Sequence, residues 1–315
     1  MAVAVDARDF AFGDRTRLEA RHDESMNGLE IEHGEQLGER GLPPAGTVER
    51  WCWDLVTTRI LAEKLAPRQP PAASDDGSWE AAPISRRLPG PGRPAELVLT
   101  SRSGNAPRGS ALAQPAARAQ LLHTFVHHEL QAAELFAWAV LAVPETPRAF
   151  RSGLVRLCLE ELAHMQLYCE HMQGLGVSFG AHPVRDWFWQ RVVHCQTPAS
   201  FVALQGVGLE GANLEHSARF AAQFRAIGDE DGARILERVE RDEIAHVAFA
   251  VHWFEQFTGA PLDYDRWSAA LPAPLTPSVL RGQVLNRDAR RRAGLDDVFL
   301  ARLEAAPSTG LRRRT

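Results

Sequence analysis

The stretch Glu160-Glu161-Leu162-Ala163-His164 has a near repeat in Asp242-Glu243-Ile244-Ala245-His246. On a helix, a step of three residues returns to within about 60° of the starting direction, so the Glu and His of each motif can reach a single point. Two residues share one height in an antiparallel helical hairpin only if they are equidistant from its turn. Glu129 and Glu161 are 161 − 129 = 32 residues apart, with their midpoint at 145, between Pro144 and Pro147. Glu210 and Glu243 are 243 − 210 = 33 apart, with their midpoint at 226.5, inside the Ala226-Ile227-Gly228-Asp229 turn. Both hairpins therefore put their carboxylates about 24 Å from the turn at 1.5 Å per residue. Glu129, Glu161, His164, Glu210, Glu243 and His246 fall in one layer.

Breakers around these motifs delimit four helices. The first covers 115–143 and is stopped by Pro144 and Pro147; the second covers 147–173 and is stopped by Gly174 and Gly176. The third opens with Thr197 as a cap and Pro198 at the first helical position, and covers 197–227. Gly228 and Asp229 break it, and the fourth continues to Thr258 and Gly259. Residues 175–196 are long enough to cross the length of a bundle. Two tight hairpins joined by one long crossover predict an all-α, ferritin-like four-helix bundle, with two Glu helices facing two Glu-x-x-His helices.

The neighbours of each carboxylate indicate where it points. Leu122, Phe125, Ala132, Ala133, Phe136 and Val140 form a stripe around Glu129, and Leu154, Leu157, Cys158, Met165 and Tyr168 one around Glu161. Leu236, Val239, Val247, Ala250 and Phe254 flank Glu243. Glu210 has Val207 and Leu214 but also Gly206 and Asn213, so its side is the least defined. Four buried carboxylates demand counter-charge, which two divalent cations supply, with neutral imidazoles as further ligands. Glu160 and Asp242 are placed to accept hydrogen bonds from the distal histidine nitrogens. Tyr168, one turn beyond His164, is a candidate redox-active or hydrogen-bonding group.

Glu134, Glu215 and Glu240 are alternates for the ligand set. Glu134 lies about 140° around the helix from Glu129, on a face with His127, Gln131 and Trp138, so only one of the two glutamates can join the layer. His123, His127 and His128 are expected at the surface. Trp138, Trp187, Phe188, Trp189, Trp253 and Phe254 are expected to pack the core and crossover, some of them against a substrate pocket.

Outside the bundle (115–259), an N-terminal arm (1–114) has one helix expected over 47–65. Nine prolines from Pro67 to Pro115 then indicate a segment that wraps over something else. The C-terminal tail (260–315) has a helical run near 296–303 and arginines at 281, 287, 290–292 and 312–314, read as a solvated charged face. The 35 basic residues include a single lysine, Lys64, from which no function follows.

The 315 residues are 45% hydrophobic and 24% charged, enough for a core of ordinary size. A net charge of −5 makes nucleic acid an unlikely partner. Cys52, Cys158, Cys169 and Cys195 lack metal or redox spacing and read as reduced, buried thiols, which favours the cytoplasm. The start MAVAVDARDFAF has neither a basic n-region nor a long apolar core, so neither export nor a membrane span is expected.

The residues His128-Glu129-Leu130-Gln131-Ala132-Ala133-Glu134-Leu135, Glu161-x-x-His164, Leu209-Glu210 and Asp242-Glu243-Ile244-Ala245-His246-Val247 with Trp253-Phe254 resemble the ferritin-like family catalogued as domain of unknown function 455. The resemblance runs from about Trp51 through Arg93-Pro94 to Ala293-Gly294. It implies a ferritin-like di-iron carboxylate fold and a dinuclear site at Glu129, Glu161, His164, Glu210, Glu243 and His246, and carries no assigned activity. Wider relatives with this ligand set include rubrerythrins, tRNA hydroxylases and bacterial multicomponent monooxygenases.

The leading expectation is an oxidoreductase that uses two iron ions, with manganese or a mixed pair allowed. It would activate O2 to oxidise or hydroxylate an unknown small-molecule substrate, drawing on an unknown electron donor. The alternative is a ferroxidase, peroxide-scavenging or iron-handling protein. A metal-free helical binding protein is the third reading. A homo-oligomer is compatible with all three.

Overall fold

The computed structural model describes residues 41–101 and 106–307. The first forty residues of the expected arm and the arginines at 312–314 lie outside the described residues. Among the described residues the fold is all-helical, and an isolated bridge between Leu99 and Val184 is its sole β pairing. No described helix is long and apolar enough to cross a membrane.

The arm begins with α1 (Val48–Thr57), capped by the Thr47 hydroxyl, which accepts from the Arg50 amide at 3.1 Å. One helix over 47–65 is not what forms: α1 ends at Thr57, and a separate short helix occupies Leu61–Leu65. The last carbonyls of α1 are taken by groups that fold back on it. Lys64 Nζ donates to Leu55 O and Val56 O at 2.7 and 2.9 Å, and the Gly92 amide donates to Val56 O at 2.8 Å. The approach is so close that a Cβ on Gly92 would lie 2.0 Å from the Thr57 carbonyl oxygen.

The two long hairpins follow. α2 (Pro115–Ala142) starts with Pro at its first position, where the missing N–H costs nothing, and packs along α3 (Arg148–Gly174). The apolar stripe expected around Glu129 is in fact most of the circumference, because α2 is buried on nearly every face from Leu121 onward. The arm and the crossover cover the side that carries His127, Gln131, Glu134 and Trp138.

After the crossover, α4 is one continuous rod built of Pro198–Phe201, Val202–Glu210 and Gly211–Ala226. Its start is a reciprocal cap: Ser200 N donates to Thr197 Oγ1 at 3.1 Å, and Thr197 N to Ser200 Oγ at 3.2 Å. Its middle run has π spacing, a local widening that clusters at functional sites. α5 (Glu230–Thr258), capped by Asp229, packs along α4 so tightly that a Cβ on Gly206 would lie 2.2 Å from the Ala250 Cβ.

The tail wraps α4 and α5 with α6 (Tyr264–Ala270), α7 (Arg287–Arg292) and α8 (Asp297–Glu304). Trp267 anchors it by donating to Ala203 O at 2.9 Å. Arg287 and Arg291 share the exposed Asp297, as a solvated face would have it. Arg290 departs from that reading. It is fully buried and forms a two-pronged pair with Glu215 at 2.7 and 2.8 Å. The four cysteines are free and buried.

Candidate metal centre

Each of the four long helices sends a glutamate to one level of the bundle interior. α2 contributes Glu129, α3 Glu161 and His164, α4 Glu210, and α5 Glu243 and His246. All six are buried, none more than 4% exposed. Their donor atoms form two overlapping groups, Glu129/Glu161/His164/Glu243 and Glu161/Glu210/Glu243/His246, each with atoms within 4.8 Å of one another. Glu161 and Glu243 belong to both. The two groups could hold two cations side by side, each group having one histidine and one glutamate of its own.

His246 Nδ1 lies 2.8 Å from Glu161 and 3.0 Å from Glu243, and His164 Nδ1 3.5 and 3.9 Å from the same pair. Both Nδ1 atoms, both Glu161 oxygens and Glu243 Oε2 are buried with no hydrogen-bond partner. Five orphaned polar atoms converging on one spot fit a cation better than they fit each other. Among the described residues, no Lys or Arg pairs with any of the four carboxylates.

The electrostatics follow from that lack. Burial and the neighbouring carboxylates push Glu129, Glu210 and Glu243 above the ordinary carboxyl range. Burial alone would raise Glu161 too, but the His246 and His164 imidazoles beside it hold it well below that range. Burial pushes the imidazoles down, and the acids around them carry both back above the ordinary histidine value. Without ions the cluster must hold extra protons; two divalent cations would replace them.

The surrounding polar groups orient the donors. His164 Nε2 lies 3.2 Å from Asp242, and His246 Nε2 lies 2.7 Å from Glu160. The pairing is crossed, the acid before one motif holding the histidine of the other. Asn213 Nδ2 donates to Glu243 Oε1 at 2.9 Å, and Gln205 Nε2 to Glu210 Oε1 at 2.5 Å. Sequence reasoning missed Gln205 because α-spacing puts residues five apart on different faces. The π run brings the 205 and 210 side chains together, and the glycines at 206 and 208 were the available signal.

Tyr168 is buried against Phe125 and near Ser217, whose Oγ donates to Asn213 Oδ1 at 3.1 Å. Burial and the nearby Glu129 push its pKa up. A pocket bordered by Glu129 and Glu210 opens between α2 and α4 beside it.

The alternate ligands go elsewhere. Glu134 accepts from Lys64 at 2.7 Å, Arg93 at 2.7 and 2.9 Å, and Trp189 Nε1 at 2.9 Å. Glu215 binds Arg290, and Glu240 accepts from Asn286 at 2.7 Å. The expectation of surface histidines fails for His123 and His127, which are 1% and 2% exposed because the arm and crossover cover them. His123 Nε2 accepts from the Gly180 amide, and His127 pairs with Asp186 at 3.0 Å. His128 is half-buried against Phe188.

A family model described as "Protein of unknown function (DUF455)" matches residues 56–301, and the chain belongs to that family. An uncharacterized protein of Haemophilus influenzae is 28% identical over 151 residues, which are 46% of this chain and 51% of that protein. The chain thus spans about half the length of this curated relative. No solved structure matches it.

Proposed function

We propose, for this member of the DUF455 family, an oxygen-activating oxidoreductase: a ferritin-like four-helix bundle holding two iron ions, or manganese or a mixed pair, that oxidises or hydroxylates a small organic substrate. The observation that carries the reading is the pair of overlapping Glu/His groups with five partnerless buried donor atoms at their centre. When bound, two redox-active ions supply the electrons and oxygen chemistry that carboxylates and imidazoles lack.

The residues around the centre have definable work. Asp242 and Glu160 accept from the distal nitrogens of His164 and His246, which leaves each Nδ1 as the donor atom. Gln205 and Asn213 aim Glu210 and Glu243. Ser217 and Asn213 form a hydrogen-bonded chain that ends on Glu243 Oε1 and holds that carboxylate in place. Buried Phe125, Phe136 and Leu209 keep bulk water from the carboxylates. Putting one oxygen atom of O2 into a C–H bond and reducing the other to water needs two electrons from outside the substrate. An external donor is therefore part of the proposal. So is a reducing, cytoplasmic setting, in keeping with four free buried thiols.

The iron-handling alternative uses the same donor set. The pocket beside Glu129 and Glu210 favours an organic substrate, since iron as cargo needs no partly aromatic cleft. Anaerobic Fe(II) loading followed by O2 exposure, watched by absorption and Mössbauer spectroscopy with O2 uptake, is the test. Two coupled irons per chain, with O2 uptake that depends on an organic co-substrate and a reductant, is the expected result. O2 uptake tied only to added Fe(II) would favour the alternative, and iron bound only as isolated ions would refute both.

A further inference from the structure

The run Val202–Glu210 of α4, which carries Gln205 and Glu210, is held from two sides. On one side Ala250 of α5 packs against the face that Gly206 leaves open. On the other lies the tail. The Trp267 indole of α6 donates to the Ala203 carbonyl, inside the run, at 2.9 Å. Leu280 fills the space at Gly208, where a Cβ would lie 2.9 Å from its Cδ1. The Arg290 guanidinium lies over Gly211, where a Cβ would lie 2.9 Å from its Nη1. The tail thus meets α4 at three successive levels, at two of them only because a glycine stands there.

The tail groups are themselves fixed. Trp267, Leu280 and Arg290 are fully buried, and the indole packs on Phe299 of α8 at 5.1 Å between centroids. Arg290 donates to both Glu215 oxygens, and the same carboxylate accepts from the Gly282 and Asn286 amides, each at 3.1 Å. A two-pronged pair sets angle as well as distance. Glu215 lies four residues beyond Gly211, so it ties the tail to α4 just past the run.

The spacing of the run has a direct effect on the acid cluster. With α spacing throughout, residues 205 and 210 would stand about 140° apart around the helix, and Gln205 would not reach Glu210, to which it donates at 2.5 Å. A rare local geometry persists where its surroundings over-determine it. Glu210 belongs to one donor group, with Glu161, Glu243 and His246; the other group, with Glu129 and His164, takes no donor from α4. The hold of the tail therefore bears on one cation position and not on the other.

We propose that the C-terminal tail, through Trp267 and Arg290, positions Glu210 and so sets the affinity of the cation position shared by Glu210 and His246, without setting that of the position at His164. The inference rests on the reading of the acid cluster as a metal centre. Trp267 and Arg290 are positioning residues that act through the path of α4.

The test uses the full chain, stripped with chelator and titrated anaerobically with Co(II), the bound ions being read from visible absorption and chelator competition. Wild-type protein should take two ions. Trp267→Phe keeps a ring but loses the indole N–H, and Arg290→Lys keeps the charge but loses the fork. Each should weaken one ion by about fivefold or more, the worth of roughly one hydrogen bond, and leave the other unchanged. In a Glu210→Gln background neither should weaken Co(II) binding further, because the carboxylate they position is already gone. A tail that only supports the bundle would act equally in both backgrounds. Trp267→Phe, the milder change, carries the test if Arg290→Lys does not fold. Two ions in the wild type with both weakened together, with neither weakened, or with the same loss in the Glu210→Gln background overturns the inference and leaves the metal centre standing. Fewer than about one Co(II) per wild-type chain overturns the centre and the inference together.

Discussion

Glu129 and Glu134 are five residues apart on one buried helix, and their surroundings are electrostatic opposites. Glu134 meets Lys64, Arg93 and the Trp189 indole, with Asp186 and His127 completing a network in which positive and negative groups alternate. Burial alone would raise its carboxyl; the two cations hold it below the ordinary range. Glu129 meets three other glutamates and His164, and burial together with Glu161 raises it. A buried acid is tolerated where its counter-charge is built in. Where the chain supplies none, the counter-charge must come from outside, and four carboxylates with two imidazoles specify what it should be.

The contrast can be broken most forcefully through stability. Glu134→Ala strands Lys64 and Arg93 in the interior and should cost about 3–5 kcal/mol in a denaturant titration, with Glu134→Gln, which keeps the shape, costing less. Glu129→Gln, which mimics the neutral carboxyl that burial and its neighbours favour, should leave the unfolding midpoint of chelated protein close to that of the wild type. A comparable loss from both substitutions would show that the two clusters are alike.

A pH series sharpens the same contrast. In chelated protein, Glu129, Glu210, Glu243, His164 and His246 are raised above their ordinary values of 4.5 and 6.5. Raised groups contribute stability that is present below those values and is lost as pH rises through the folded ones, and Glu161, held low, opposes them. The melting temperature of the chelated protein should therefore fall as pH climbs from about 5 to 8, and bound metal, which takes the deprotonated forms, should abolish the fall. The other cluster has the opposite sign. Glu134 is lowered, and His127 and Arg93 overcome burial to hold Asp186 at about 2, so their contribution is lost only as pH drops toward the acid side. A chelated protein with a flat profile above pH ~5 would contradict the assignment.

The smallest effect is expected at the rim. Asp242→Asn should weaken metal affinity by about 10- to 100-fold, measured by chelator competition, while the melting temperature of the chelated protein barely moves because the side chain is 42% exposed. Unchanged affinity would detach Asp242 from the orientation of His164.

The long helices and their register could be read from the chain because they depend on local, periodic features. Pro144, Pro147 and Gly228 mark turns, and equal distances from those turns place Glu129 opposite Glu161 and Glu210 opposite Glu243. What could not be read was long-range. That Lys64 would reach across to Glu134, or Arg290 to Glu215, depends on an arm and a tail whose paths carry no period. The same cover turned His123 and His127 from expected surface groups into buried ones. The helix expected over 47–65 stops at Thr57, where Lys64 and Gly92, the latter from a distant part of the arm, take carbonyls of its last turn. The π run of α4 was invisible because helical periodicity assumes one spacing throughout, and it is that run which sets Gln205 against Glu210.

The central claim, that the acid cluster is a two-ion centre and the neighbouring charged cluster is not, is tested most directly by metal content. Wild-type protein, Glu129→Ala and Glu134→Gln would be loaded anaerobically with Fe(II), desalted and measured in parallel. Two ions per chain in the wild type and in Glu134→Gln, with at least one lost in Glu129→Ala, is the expected outcome. Full occupancy in Glu129→Ala with loss in Glu134→Gln, or a wild type that retains no iron, would contradict it.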